Sequence, residues 1–226
     1  MTRPTSLSVD QKEFAIVNLR LAAIALVLFA TACSREGEIG PGGVYVTRSA
    51  CPQVAIPAAT GDITLFNPSN RTDAASIDVT AVITNLRSTC DETGANIVST
   101  ATFDVVGTRR DAGPARSVVL PYFTVAMQGG SQVVAKHIGN VGLNFAAGSQ
   151  RAQTSGQATI QVSRSVATLP EDVRRELTRE RKPGDPDAAV DPMSDPKVRD
   201  AVARATFEHL VGFQLTPEQL RYNATR

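Results

Sequence analysis

Hydrophobic and polar residues alternate along much of the chain between Val44 and Thr168, the pattern of half-buried β-strands. Around residue 80, for example, Val79, Ala81 and Ile83 share one face of an extended chain, and polar side chains occupy the other. The runs with this character are Val44–Arg48, Asp62–Phe66, Ile77–Leu86, Ile97–Thr108, Ser117–Met127, Gln132–Leu143 and Thr154–Val166. Clusters of Asn, Asp, Gly, Pro and Ser separate them, so the sequence predicts seven strands joined by turns.

Seven short strands with turn signals roughly every 8–15 residues are typical of an antiparallel β-sandwich of the immunoglobulin or fibronectin-III type. A closed barrel is the main alternative. No helical period of 12 residues appears in this part of the chain, which argues against an α/β fold. We therefore predict a mainly β domain over residues 44–169.

The remainder, residues 170–226, is much richer in charge and is predicted to be an α-helical extension. A charged helix is expected over Glu171–Lys182, introduced by a capping pattern at Thr168–Glu171. A linker rich in Pro and Asp follows over Asp185–Ser194, and Thr216–Gln219 repeats the capping pattern before a last short turn.

A second helix is predicted after Asp195 and Pro196, a residue pair that suits the cap and first position of a helix. Gly212 is expected to close it. An apolar stripe on this helix must be buried against something, either the sandwich of the same chain or a partner protein. The candidate docking residues are Val198, Ala201, Val202, Ala205 and Leu210.

The amino-terminal segment has a different pattern, in which a weakly basic region precedes the uncharged run Leu21–Ala30. A transmembrane helix needs about 20 consecutive apolar residues, and this run is shorter. A basic region, a short apolar core and small residues after it are typical of a secretory signal peptide.

The apolar run ends in Phe29-Ala30-Thr31-Ala32-Cys33, which resembles the lipobox of bacterial lipoproteins. The resemblance implies cleavage after residue 32, thioether linkage of diacylglycerol to Cys33 and acylation of the new amine. Ser34 at the next position favours the outer membrane, with the protein facing the periplasm. Residues 33–43 are polar and Gly-rich and are expected to form a flexible tether. The alternatives are an uncleaved anchor helix and an ordinary secretory signal.

The chain has 3 cysteines, and lipid on Cys33 leaves Cys51 and Cys90 as an even number in an oxidising compartment. Each lies beside a turn, so the expected state is a structural disulfide between them. Their spacing is not Cys-x-x-Cys, which makes a metal or redox role the weaker alternative.

Composition limits the function further. The formal net charge is +1, so the protein has no overall positive field that would attract nucleic acid. Trp is absent, so few aromatic side chains are available to stack against a sugar ring. His137 and His209 are the only histidines, one in a predicted strand and one near a predicted helix end, and neither belongs to a catalytic motif. No cofactor, metal site or enzymatic activity is expected.

The sequence therefore favours a non-enzymatic component of the bacterial envelope, held at the membrane through Cys33 and bound to an envelope protein partner. A β-sandwich supplies edge strands for such binding, and the tail supplies a helix. The alternative is a module that binds a glycan or small solute on loops such as Asn67–Thr72 and Gly107–Pro114.

Overall fold

The computed structural model describes residues 38–40, 43–45, 49–182 and 184–225. The predicted signal peptide and Cys33 lie outside these residues. The chain divides into two units, residues 1–47 and 48–226. In the first, strands β1 (Glu38–Gly40) and β2 (Gly43–Tyr45) form a two-stranded antiparallel sheet, within and just beyond the segment expected to be a tether.

The second unit is mainly β and sandwich-like, with two four-stranded sheets and a few short helices. The alternation of hydrophobic and polar residues predicted the bounds of six of these strands to within a few residues. In chain order the strands are β3 (Gln53–Ala55), β4 (Asp62–Phe66), β5 (Ile77–Asp91), β6 (Asn96–Arg109), β7 (Arg116–Gln128), β8 (Gln132–Phe145), β9 (Arg151–Ser163) and β10 (Phe207–Phe213).

The first sheet has the strand order β3-β10-β7-β8, and the second has the order β4-β5-β6-β9. All neighbours are antiparallel except β3 and β10, which run parallel. Inward side chains of both sheets form a large apolar cluster, which includes Phe103 of β6, Leu143 of β8 and Phe213 of β10. Burial of this shared apolar area stabilises the packing of the two sheets.

The tail is not wholly helical, and the prediction for residues 207–213 was wrong. These residues form β10, and it lies inside the first sheet between β3 and β7. Every second side chain of β10 is buried in the sandwich, namely those of Phe207, His209, Val211 and Phe213. This burial stabilises a strand here more than a continuation of the helix would. Gly212 does not close a helix, because it is part of this strand.

The described residues of this unit also form four short α-helices: α1 (Arg164–Ala167), α2 (Glu171–Thr178), α3 (Pro196–Ala205) and α4 (Pro217–Thr225). Two single turns of 3-10 helix lie at Ala74–Ser76 and Pro192–Ser194. Helix α2 ends four residues before its predicted end, and Thr168 does not cap it because Pro170 occupies the cap position. Helix α3 begins as predicted, since the Asp195 carboxylate accepts a hydrogen bond from the Lys197 amide at 2.9 Å. At α4, Thr216 and Gln219 make the reciprocal hydrogen bonds of a capping box.

Candidate functional site

The predicted disulfide is present, and it joins the two sheets. Cys51 lies just before β3 of the first sheet, and Cys90 lies in β5 of the second. The bond closes a loop with a sequence separation of 39 residues. Cys51 also packs against a second apolar cluster that includes Ile97, Ala126 and Phe207. The bond therefore ties the chain just before β3 to the end of β5 in the opposite sheet.

One layer of the sandwich interior is polar, and His209 lies at its centre. The imidazole is completely buried. Its Nδ1 lies 2.9 Å from the Ser99 hydroxyl of β6, and its Nε2 lies 2.8 Å from the Thr124 hydroxyl of β7. The first contact crosses between the sheets, and Ser99 is paired in register with the disulfide residue Cys90. The sequence placed His209 near a helix end, so this network was missed.

Burial determines the protonation of this histidine. Removal from water lowers the pKa of His209 from 6.5 to about 4, because the charged imidazolium loses its hydration. A Ser–His pair is the kind of contact that activates a nucleophile. Here, however, the Ser99 side chain is itself buried, so no substrate reaches it in this conformation. The arrangement supports a structural polar network.

The apolar stripe on the predicted docking helix is already covered within the chain. Val198, Ala201 and Val202 are buried against Val173 and Leu177 of α2, and that cluster contains no residue of either sheet. An ion pair of 2.7 Å between Lys197 and Asp172 joins the same two helices. Ala205 is half-buried at the end of α3.

Leu210 does not belong to this helix. It lies in β10, where it is paired in register with Val125 of β7 and is 8% exposed. The five residues therefore do not form one exposed helical face, and the stripe is covered mainly by α2 rather than by the sandwich, which was the expected cover within the chain.

A buried arginine organises the loops at one end of the sandwich. Arg109, at the end of β6, is 3% exposed. Its guanidinium donates hydrogen bonds to the carbonyls of Gly113, Pro114, Ala146 and Ser149, at 2.7–3.0 Å. It also lies 5.4 Å from the centre of the Phe145 ring. The predicted ligand loop 107–114 is thus tied to the turn between β8 and β9, and its first three residues belong to a strand.

An open groove of about 730 Å³ lies elsewhere, around helix α1. It is lined by Ala95, Ser163, Arg164, Ser165, Thr168, Leu169 and Pro170. The Arg164 guanidinium is held there by a hydrogen bond from Nε to the Gly94 carbonyl at 2.9 Å. Neither of the loops proposed for ligand binding lines this groove.

Within the described residues, no group of three or more His, Cys, Asp or Glu side chains is placed to hold a metal ion. None of the helices in that part of the chain is long and apolar enough to cross a membrane. Comparison with family models, curated proteins and solved structures finds no significant match.

Proposed function

We propose that the chain is a lipid-anchored protein of the bacterial outer membrane that faces the periplasm and binds another envelope protein without catalysing a reaction. The observation that carries the proposal is the use of the cysteines. Cys51 and Cys90 are bonded to each other, which suits an exported protein in an oxidising compartment. Cys33 then stands alone, directly after the short apolar run and small residues of a lipobox-like sequence. The proposed fold class remains an immunoglobulin- or fibronectin-III-like sandwich.

Strand β9 is the edge that we propose for the partner. It is a long edge strand whose outward side chains, including Gln153, Gln157 and Gln161, are polar and exposed. The carbonyl of Gln157 accepts a hydrogen bond from the Tyr122 hydroxyl, so the backbone of residue 157 faces away from β6. Since this direction alternates along a strand, the amide of Gln161 also faces away from β6. A partner strand added there would gain backbone hydrogen bonds.

Mass spectrometry of the peptide that contains Cys33 tests the anchor. We expect a diacylglyceryl thioether and an acylated amine on Cys33 in protein purified from membranes. The Cys33→Ala variant should lose both groups and leave the membrane fraction, because stable anchoring requires more than one acyl chain. A variant that stays in the membrane with unchanged mobility would contradict the lipid anchor.

Affinity purification after cross-linking in cells tests the binding edge. Gln161→Pro removes one outward amide and should lower the recovery of a specific envelope protein, whereas Gln161→Ala should not. Both variants keep the β6 side of the strand, so far-ultraviolet circular dichroism should show the same sheet content. Equal recovery with both variants would exclude this edge as the binding site.

A further inference from the structure

Apolar side chains are exposed on the outer face of the first sheet, along β7 and β8. Val119 is 64% exposed, Ile138 is 61% exposed and Val133 is 55% exposed. Soluble proteins expose scattered apolar residues, but a contiguous apolar patch commonly marks a surface that contacts a protein or a membrane.

The strand register places these residues on one face. Ile138 of β8 is paired with Phe123 of β7, and Val133 is paired with Met127 on the same face. Val119 lies further along β7, beyond the Pro121–Asn140 pair and opposite Gly142, which adds no side chain to cover it. We call the set Val119, Phe123, Met127, Val133 and Ile138 the apolar face.

One cation lies within the apolar face. Lys136 is paired in register with Val125, and its ammonium group lies 5.4 Å from the centre of the Phe123 ring. The lysine side chain therefore covers part of the aromatic ring and remains exposed itself. An apolar surface with a cation at its edge is suited to acyl chains and anionic headgroups at a membrane interface.

The neighbouring edge strand has the opposite character. The outward residues of β9 are Arg151, Gln153, Ser155, Gln157, Thr159, Gln161 and Ser163. None is apolar, although β8 and β9 are joined by a short turn and lie next to each other. The apolar face thus does not continue onto β9, and this strand provides an internal comparison.

The position of the chain before β3 connects this face to the proposed anchor. Residue 49 precedes β3, and β3 lies three strands from β8 in the same sheet, a lateral distance of about 14 Å. The stretch from Cys33 to residue 49 would reach at most about 55 Å if fully extended, and the pairing of β1 with β2 shortens this reach. A lipid on Cys33 would therefore keep the start of β3 within about 55 Å of the bilayer.

We infer that the apolar face rests on the surface of the membrane that holds the lipid anchor, with Val119 and Ile138 at the acyl boundary and Lys136 among anionic headgroups. This inference rests on the anchor proposed above. Three exposed side chains bind a bilayer weakly on their own, but the anchor makes their contact intramolecular and raises their effective concentration. The sandwich would then have a fixed orientation, with β9 free for a protein partner.

The absence of Trp from the chain allows a direct test. The full lipidated protein is prepared with Ile138→Trp or, as the control, Gln161→Trp on the outward side of β9. Each is reconstituted in vesicles of phosphatidylethanolamine and phosphatidylglycerol, with or without acyl chains brominated near the headgroup. We expect emission from position 138 to shift to shorter wavelength and to be quenched at least about twofold more than emission from position 161, as for a group inserted 5–10 Å into the interface. Adding Val119→Ser should reduce that quenching.

Each result has a definite meaning, provided that thermal unfolding shows both variants to be folded. Equal quenching at positions 138 and 161, in protein whose Cys33 is lipidated by mass spectrometry, would overturn the membrane contact but leave the anchor intact. A blue shift at position 138 without quenching would show that protein covers the face, as in a contact between two copies, and would also overturn it. An unmodified Cys33 in protein that washes off the vesicles would refute the anchor and this inference together.

Discussion

Among the individual residues, His209 has the clearest consequence for stability, because its neutral form is part of the core. Ser99 and Thr124 satisfy both ring nitrogens, and neither supplies a negative charge that would favour the imidazolium. A buried polar group of this kind is tolerated while its hydrogen bonds are made and is costly when it must carry a charge.

We expect the free energy of unfolding to fall as the pH decreases from about 6.5 to about 4. The unfolded chain takes up a proton on His209 near pH 6.5, whereas the folded chain takes it up only near pH 4, so acid favours the unfolded state. The full loss is on the order of 3 kcal/mol. Urea unfolding at several pH values should show this slope, and His209→Gln should remove it at the cost of a lower stability at pH 7.

His137→Gln is the matched control, because that histidine is exposed on β8. The acid dependence should survive in this variant. A wild-type protein whose unfolding free energy is flat between pH 6.5 and 4 would contradict a neutral, buried His209.

Sequence reasoning succeeded for the disulfide and failed for the buried polar residues. The pairing of Cys51 with Cys90 was predicted from the number of cysteines and from an expected oxidising compartment, and it is confirmed. Arg109 was missed because its partners are four backbone carbonyls in two separate turns, and carbonyls leave no signal in a sequence. The burial of His209 depends on partners 110 and 85 residues away, which local patterns do not reveal.

For the secondary-structure elements, the period of hydrophobicity was informative wherever one face of a strand was buried. Strands β5 to β9 were predicted because polar outward residues interrupt the apolar inward ones. Strand β10 was missed because six of its seven residues are buried, leaving little polar contrast along it. The helix just before β10 has a genuine helical period of buried residues, Val198, Ala201 and Val202. The prediction continued this period into the residues that form the strand.

Two aromatic rings between the sheets leave no room for a side chain at one position in each of the edge strands β8 and β9. Phe103 and Tyr122 lie edge to face with their centres 5.3 Å apart. A Cβ atom at Gly139 of β8 would lie 2.5 Å from the Tyr122 ring, and one at Gly156 of β9 would lie 2.4 Å from the Phe103 ring. The glycines are therefore required by the close approach of these rings.

We expect Gly139→Ala to destabilise the protein by about 1–3 kcal/mol, the usual cost of overpacking. Gly142→Ala on the same strand should be nearly neutral, because a Cβ there has no neighbour within 4 Å. Chemical denaturation of the two variants measures the difference directly. Equal stability of the two would show that the Tyr122 ring moves aside at little cost.

In the whole molecule, the disulfide is a covalent cross-link between the two sheets. Its closed loop, with a sequence separation of 39 residues, should lower the entropy of the unfolded chain by the equivalent of about 4 kcal/mol. We expect the Cys51→Ser, Cys90→Ser double variant to lose stability of that order, while it keeps its sheet content in circular dichroism.

Adding a reductant to the wild-type protein should give a similar loss and should have no effect on the double variant. This comparison separates the cross-link from the side-chain changes. A double variant as stable as the wild-type protein would mean that the noncovalent contacts between β3 and the core already fix this margin.

The central position of β10 in its sheet has a consequence for how the protein comes into being. Among the described residues, β3 has β10 as its one neighbour in the sheet, and about 150 residues separate the two along the chain. During synthesis, the first sheet therefore stays incomplete until residue 213 has emerged. The strands of the second sheet all end before residue 164, so that sheet can form first, and the last strand to emerge completes the sandwich.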